Sequence, residues 1–452
     1  MRRVTLFSFF IGAIFLTFLF SIGASAGVIN PNDDIMTLLY TPKSLPVVES
    51  SLINLPPDNS VKIWVYFTDK NIFSNDNLTV ALDNTKNALT DRALKRRAKT
   101  RGENVVDFRD ISMNDDYIYQ IETAGAEVKH RIKWLNAVSA NVQVSDIRKI
   151  GALPFVRKIE RVKSLGAELY EINTKSNLSP NPPVITESSY DYGVSESQLE
   201  QINAPPAHEL GFNGEGIIIC MLDVGYRKDH QAFVPAFDDG RVLAEWDFIN
   251  NDGNTDLDQG DDPTQANHGT LCWSTLGGQA PGHLYGPSFG AFFILGKTED
   301  VTSERHIEED NWAAAALWAD SIGAEVISAS LGYRWFDPGE GDYEYEDLDG
   351  NTTIVTQAAD LAAYNGIAVC TANGNEGYMG PGSLIAPADG DSVIGCGAID
   401  AYGEAAGFTS QGPTYDDRMK PEVNARGVGT DCADPYDMNG YTTANGTSLS
   451  TP

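Results

Sequence analysis

The second half of the chain alternates short apolar segments with helical patterns, and this alternation constrains the fold more than any other feature. One helical pattern, residues 308–323, carries a Trp-Ala-Ala-Ala-Ala-Leu-Trp stripe. Segments that are apolar throughout and separated by helices form parallel sheets buried on both faces. We therefore expect an α/β domain over residues 198–452, with a mainly parallel sheet between layers of helices. The predicted strands are residues 216–222, 291–295, 326–330, 367–370 and 392–396.

Four polar residues stand where this sheet predicts strand ends or helix starts. Asp223 directly follows the first strand, and His268 lies in Asn-His-Gly-Thr at the start of a predicted helix. Asn375 follows the fourth strand in Gly-Asn-Glu-Gly, and Ser448 lies in Gly-Thr-Ser-Leu-Ser-Thr-Pro. Ligands of open α/β sheets bind at the carboxyl ends of the strands, so these side chains are expected to share one site.

Together these residue types can carry out acyl transfer. A hydroxyl attacks a carbonyl, an imidazole takes its proton, and a carboxylate orients and stabilises the imidazole. A side-chain amide and the free backbone N–H at a helix start can bind the oxyanion that forms. Each motif alone is a common turn or loop, but the chain order Asp, His, Ser is that of subtilisin.

The chain resembles the subtilases, the subtilisin-like serine peptidases, over roughly residues 198–452. The matching segments are Ile-Ile-Ile-Cys-Met-Leu-Asp-Val-Gly, Asn-His-Gly-Thr and Gly-Thr-Ser-Leu-Ser-Thr-Pro. The resemblance implies a three-layer subtilisin-like fold and an endopeptidase of protein or peptide substrates, with Asp223, His268 and Ser448 as catalytic residues. It also implies that Asn375 and the Ser448 N–H form the oxyanion hole. The substrate-binding residues implied are Ser330, Leu331, Gly332, Ala372, Asn373 and Gly374.

A smaller α+β domain is predicted over residues 61–162. Strands at 61–67, 128–134, 137–144 and 156–162 are joined by a charged helix near 83–99, continued at 116–121, and by a short helix capped by Ser145. The order β-α-β-β-α-β is that of a ferredoxin-like sandwich. Subtilase propeptides have this topology, so the resemblance implies an intramolecular inhibitor and chaperone. The linker, residues 163–197, would then contain the maturation cut.

The N-terminus predicts export. Arg2 and Arg3 precede an apolar run, and Ala24-Ser25-Ala26 has the pattern of a cleavage site, so residues 1–26 are predicted to be a signal peptide and residues 27–60 a leader. The mature protein would be extracellular, periplasmic or on the cell surface, with no stable membrane span. Because the apolar run is long, an uncleaved membrane anchor is the alternative.

Charge is distributed unevenly between the two parts. Residues 177–452 hold 9 basic and 44 acidic residues, whereas residues 1–176 hold 23 basic and 19 acidic residues. Opposite charge suggests that the two parts attract each other, although an acidic surface kept for solubility explains the acidity as well. The net charge of −31 argues against nucleic acid as a partner.

Two loops are dense in carboxylates. Hard oxygen ligands suit Ca²⁺, and many subtilases use structural calcium, but solvated acidic loops are the alternative. The chemistry itself needs no cofactor. For the five cysteines we expect at most one or two disulfides, with buried thiols at Cys220 and Cys370. The calcium candidates are Asp256, Asp258, Asp261 and Asp262 in one loop and Glu346, Asp347 and Asp349 in the other.

A different class of function is a non-catalytic secreted binding or scaffold protein that keeps the fold. The intact Asp223, His268, Asn375 and Ser448 argue against it, because a binding module has no need for all four. The sequence given ends at Pro452, soon after Ser448. Since the resemblance implies a long helix after this serine, we expect the peptidase domain to be C-terminally incomplete.

Overall fold

The computed structural model describes residues 47–162 and 189–452, which belong to one compact unit. The predicted signal peptide, most of the leader and residues 163–188 of the linker lie outside the described residues. The first part contains the strands β1 Val47–Val48, β2 Ser60–Phe67, β3 Glu127–Ile132, β4 Ala137–Gln143 and β5 Val156–Arg161. Its helices are α1 Ser50–Ile53, α2 Asn75–Ala88, α3 Asp91–Arg101, α4 Asp115–Thr123 and α5 Val144–Gly151.

The strands of the first part form one sheet in the order β1-β5-β2-β4-β3. Strand β2 is antiparallel to both of its neighbours, and β1 adds a short parallel edge to β5. Apart from β1, this is the ferredoxin-like order that the sequence predicts.

Two details of the first part differ from the prediction. The single charged helix is two helices, because Thr90 breaks the first and caps the second, accepting a hydrogen bond from Ala93 N at 3.1 Å. Ser145 caps no helix. The backbone N–H groups of Val144 and Ser145 instead donate to the carbonyls of Asn59 and Pro57 at 2.9 and 3.0 Å, so the helix start needs no side-chain cap.

The second part contains a larger sheet with helices on both faces. Its strands are β6 Ile218–Asp223, β7 Val242–Asp247, β8 Gln279–Ala280, β9 Leu284–Tyr285, β10 Phe292–Lys297, β11 Val326–Ala329, β12 Ala368–Ala372, β13 Ile394–Ile399, β14 Val423–Arg426, β15 Thr430–Ala433 and β16 Tyr441–Ala444. Its helices are α6 Glu196–Gln201, α7 Ala204–Glu209, α8 Val234–Asp238, α9 Asn267–Gly277, α10 Ile307–Ile322, α11 Ile354–Tyr364 and α12 Thr447–Ser450.

Seven of these strands form a parallel sheet in the order β14-β13-β12-β11-β6-β10-β7. Strand β6, between β11 and β10, is buried at every position. Cys220 packs on the side of α10 and α11, whereas Ile219 and Met221 pack on the side of α9. The three-layer α/β fold with a mainly parallel sheet is therefore confirmed, and the five predicted strands all form.

The first part covers the outer side of α10 and α11. In β2, Ile63 and Val65 face the helices of their own domain, while Trp64 faces the other way and shares a core with Trp312 of α10. Both faces of the small sheet are therefore buried, one by its own helices and one by the larger domain.

Charge complementarity accompanies this packing. Basic side chains of β2 and α3 meet acidic side chains of α10 and the segment after it, as the uneven charge distribution suggests. The ion pairs that join the two parts are Lys62–Asp310, Arg92–Glu325, Arg96–Asp320 and Arg97–Asp320.

All five cysteines are free thiols. Cys220 is buried as expected, but Cys370 is only half-buried. Within residues 47–162 and 189–452, no helix combines the length and apolar character needed to cross a membrane.

Candidate active site

Asp223 is the last residue of strand β6, and its side chain is fully buried. Its Oδ1 atom lies 2.7 Å from His268 Nδ1 and also accepts a hydrogen bond from Val224 N at 2.8 Å. A buried polar group needs such partners to compensate for the loss of water. The strand end therefore presents a buried, hydrogen-bonded carboxyl group to the imidazole.

His268 lies in the first turn of α9, as the sequence predicts. The turn before it is tight, with Ala266 in a left-handed conformation at φ +79°. The His268 side chain is 21% exposed, so it borders solvent while its partner Asp223 does not. Burial alone would lower the pKa of His268, but the charge and hydrogen bond of Asp223 and the contact with Cys272 together outweigh burial and raise that pKa well above its ordinary value.

Ser448 lies at the start of the short helix α12, next to the end of β11. Its Oγ donates to the backbone carbonyl of Ser330 at 3.2 Å, and its own carbonyl accepts from Ser330 Oγ at 2.7 Å. In this structure the Ser448 hydroxyl therefore donates to a backbone carbonyl.

Asn375 contacts the residue before Ser448. Its Oδ1 accepts from Thr447 N at 2.9 Å and from Thr447 Oγ1 at 3.1 Å, which leaves the Nδ2 group as the donor side of the amide. An ideal Cβ placed on Gly446 would lie 3.7 Å from Ser448 N and 3.9 Å from Asn375 Nδ2. Two N–H donors thus border the same small space, kept open by a glycine.

The predicted substrate-binding residues fall at the ends of two adjacent parallel strands. Ser330, Leu331 and Gly332 follow β11, and Leu331 and Gly332 are half-buried. Ala372, Asn373 and Gly374 end or follow β12, which pairs with β11.

Asn373 is fully buried, and its Nδ2 donates to the Ser410 carbonyl at 2.6 Å. This amide therefore joins the end of β12 to the segment around Ser410.

Cys272 is a neighbour of the site that our sequence analysis missed. Its Sγ lies 3.7 Å from His268 Nδ1 and 3.5 Å from the Ser448 carbonyl oxygen. The thiol is fully buried, and burial raises its pKa, so it packs beneath the imidazole as a neutral group. The signal was present in the sequence, since Cys272 lies four residues after His268 and so on the same helix face.

The first acidic loop surrounds a lysine. The Nζ atom of Lys297, at the end of β10, lies 2.8 Å from Asp261 Oδ2, 2.9 Å from Asp247 Oδ2 and 3.6 Å from Asp258 Oδ2. Of the other two predicted ligands, Asp256 accepts from Lys228 N and Asp262 from Thr264 N. Because an ammonium occupies the centre of the carboxylates, the residues present do not fit a divalent cation there.

The second acidic loop uses two of its carboxylates for backbone turns. Asp347 Oδ2 accepts from Glu344 N at 3.0 Å, and Asp349 Oδ1 accepts from Asn351 N at 2.8 Å, while Glu346 is exposed. Of the described residues, two acidic groups bring three ligand atoms together. One is Asp247, Asp252 and Asp258 in the first acidic loop, two of which face Lys297, and the other is Glu299, Glu304 and Glu308.

Two protein-family models match this chain. Residues 214–452 match the model of the subtilase family, and residues 62–178 match the model of the peptidase S8 propeptide domain of Bacteroidota. Subtilisin amylosacchariticus from Bacillus subtilis subsp. amylosacchariticus is 26% identical over 336 residues, which span 74% of this chain and 72% of the relative.

Two further similar proteins are a thermophilic proteinase and a solved protease domain. The thermophilic serine proteinase of Bacillus sp. (strain AK1) is 25% identical over 370 residues, spanning 79% of this chain and 77% of the relative. A mutant of the protease domain of PatA has 21% identity and a TM-score of 0.42, covering 53% of this chain and 77% of that one.

Proposed function

This chain belongs to the subtilase family of subtilisin-like serine peptidases, and on that premise we propose that it is a secreted endopeptidase made as an autoinhibited zymogen. Ser448 would be the nucleophile, His268 the general base and acid, and Asp223 the residue that orients His268. The observation that carries the proposal is the 2.7 Å hydrogen bond between His268 Nδ1 and the buried Asp223. It leaves the second imidazole nitrogen as the one that exchanges protons.

The first half of the reaction forms an acyl-enzyme. Ser448 Oγ rotates from the Ser330 carbonyl towards His268 Nε2 and attacks the peptide carbonyl carbon. His268 takes the hydroxyl proton, and the Asp223 carboxylate stabilises the imidazolium that results. The tetrahedral oxygen would be bound by Ser448 N and Asn375 Nδ2, which we call the two oxyanion donors. A donor of this kind contributes about 3 kcal/mol to transition-state stabilisation.

The acyl-enzyme forms as the first product leaves: His268 gives its proton to the amine, and the C–N bond breaks. Hydrolysis of the acyl-enzyme is the second half. A water molecule then attacks the ester carbonyl, with His268 as base, and Ser448 recovers its proton as the acid product leaves. Each proton taken up by His268 is returned, so the cycle needs no cofactor.

Substrates would bind as extended peptides in the cleft between the residues after β11 and those after β12. Backbone groups at the open end of β11, from Ser330 to Gly332, can pair with a peptide in the manner of an added strand. This mode recognises the main chain, so it favours endopeptidase action on unstructured segments.

Autoinhibition is supported by the domain that covers α10 and α11. Residues 163–188 connect this domain to the peptidase part, and a cut there would separate the two chains while their buried contacts persist. Export is supported by the charged and apolar pattern of residues 1–26.

The test is labelling by a fluorophosphonate probe of the protein made from its complete reading frame. We expect one labelled serine in the matured protein, loss of label in Ser448→Ala, and self-cleavage within residues 163–197. Absence of both labelling and self-cleavage would favour the non-catalytic scaffold, and label that persists in Ser448→Ala would refute the assignment of the nucleophile.

A further inference from the structure

A buried lysine stands at the centre of the first acidic loop. Lys297 ends β10, and only 1% of its side chain is exposed. Its ammonium faces three carboxylates, and the two closest lie at 2.8 and 2.9 Å, within hydrogen-bond distance. An ammonium has three N–H donors and no acceptor, so it suits a surround of anionic oxygens.

The loop is folded around this cation. Asp247 Oδ1 accepts from Ile249 N at 2.7 Å and from Asn250 N at 3.0 Å, and its Oδ2 faces both Lys297 and Asn250 Nδ2. Asp261 Oδ2 accepts from Asp258 N at 3.0 Å as well as from Lys297. Hydrogen bonds from the loop itself therefore hold these carboxylates so that one oxygen of each faces the ammonium.

The charge at that point is fixed. Burial alone would lower the pKa of Lys297, but its hydrogen bonds to Asp261 and Asp247 raise that pKa above the ordinary value. Lys297 therefore keeps its charge to a higher pH than an exposed lysine would.

From this geometry we propose that Lys297 is a built-in cation that replaces a divalent metal in the loop of residues 247–262. Calcium binds carboxylate oxygens at about 2.3–2.6 Å and would need the position that Nζ holds. The loop is therefore metal-independent, in contrast to the calcium site that the resemblance suggested.

The position of Lys297 connects this loop to the candidate active site. Lys297 pairs in register with Asp223 of β6 on one side and with Asp247 of β7 on the other. The loop that it holds runs from Asp247 into α9, which carries His268. Lys297 thus holds the segment before His268 against the strand ends that carry Asp223, and this contact does not depend on calcium.

The test replaces the cation and asks whether calcium takes its place. Lys297→Ser removes the ammonium and leaves space and three carboxylates, whereas Lys297→Met removes the charge but fills the space. Both are made in a Ser448→Ala background of the full chain to prevent self-digestion. Calcium binding is measured by calorimetry, and thermal unfolding is followed in chelator and in millimolar calcium.

We expect Lys297→Ser to bind one more equivalent of calcium than the background chain, and its Tm to fall by several degrees in chelator and recover with calcium. Lys297→Met should lose stability without calcium rescue. The matched control is Lys228→Ser, which removes a neighbouring lysine that has a single carboxylate partner, Glu245, and should gain no calcium dependence. The proposal is overturned if Lys297→Ser gains no calcium-dependent stability over the background, or if Lys228→Ser gains as much. Neither outcome bears on peptidase activity.

Discussion

Asp320 provides the most direct test of how the N-terminal domain is held on the peptidase part. It lies on α10, and its carboxylate is fully buried. Both Arg96 and Arg97 of α3 form ion pairs with it, and Arg97 Nε reaches Asp320 Oδ1 at 3.2 Å. The perturbation is Asp320→Asn, which preserves the shape of the side chain and removes its charge.

The partners that Arg96 and Arg97 keep determine how much binding free energy Asp320→Asn costs. Arg97 keeps Asp110 Oδ1 at 3.0 Å and the Val105 carbonyl at 2.9 Å. Among the residues that the structure describes, Arg96 has no second carboxylate in an ion pair, and its Nε keeps the Asn365 carbonyl at 3.1 Å. Removing one member of a buried ion pair costs about 3–5 kcal/mol. Because the amide still accepts one hydrogen bond, we expect about 3 kcal/mol, or a dissociation constant weaker by about a hundredfold.

The assay measures dissociation of the two domains after the chain is cut between them. A cleavage site for an added protease is placed within residues 163–188 in a Ser448→Ala background, and the cut complex is diluted and separated by size. The matched control is Asp115→Asn, which breaks an exposed ion pair with Arg131 inside the N-terminal domain. That change should leave the dissociation constant as it was, since exposed pairs contribute about 0–1 kcal/mol.

An unchanged dissociation constant in Asp320→Asn would refute the reasoning, because it would mean that the buried network does not hold the domains together. The reasoning would also be contradicted if the dissociation constant depended more strongly on salt concentration in Asp115→Asn than in Asp320→Asn. Thermal unfolding of the uncut variant checks that the substitution acts on the interface rather than on the fold.

Three further outcomes follow from the site. Since Asp223 raises the pKa of His268, kcat/KM should rise with pH into the alkaline range. Asp223→Asn should shift this rise in kcat/KM to lower pH and reduce kcat by about four orders of magnitude. A rise that stays at the same pH in the variant would contradict the pairing of Asp223 with His268. Gly446→Ala should lower kcat by about a hundredfold with little change in KM, because the new Cβ would narrow the space beside the two oxyanion donors. Unchanged single-turnover rates would show that the oxyanion does not bind in this space. Burial raises the pKa of Glu299 from 4.5 to about 8, so the folded state loses stability as the pH rises through this interval. Glu299→Gln lacks this loss. In melting curves, the Tm of Glu299→Gln relative to wild type should therefore increase across the same pH interval.

Much of the fold could be predicted from local patterns. Segments such as residues 216–222 are apolar at every position, and the structure buries β6 on both faces, as such a pattern requires. The strand order of the N-terminal domain likewise follows from alternating strands and helices. The errors were local: a break at Thr90 within one charged helical pattern, and a cap at Ser145 that backbone carbonyls make unnecessary.

The site was predictable in its members more than in its contacts. Asp223 and His268 are joined as their order along the chain suggests, but Ser448 Oγ donates to the Ser330 carbonyl. Cys272 beneath the imidazole went unnoticed, although helical spacing places it on the face of His268. Rotamers and neighbours of this kind depend on how separate strand ends are packed, which periodicity does not report.

The sequence by itself determined the family, the α/β architecture and the order Asp, His, Asn, Ser at the strand ends. The reason is that the burial of strands and helices produces periodic hydrophobic patterns in the sequence. Only the tertiary structure decided which charges meet. Lys297 and Asp261 are 36 residues apart, and Arg97 and Asp320 are 223 residues apart. Pairs so distant leave no pattern in sequence, since the path of the chain between them decides whether an acidic loop encloses a metal ion or a lysine.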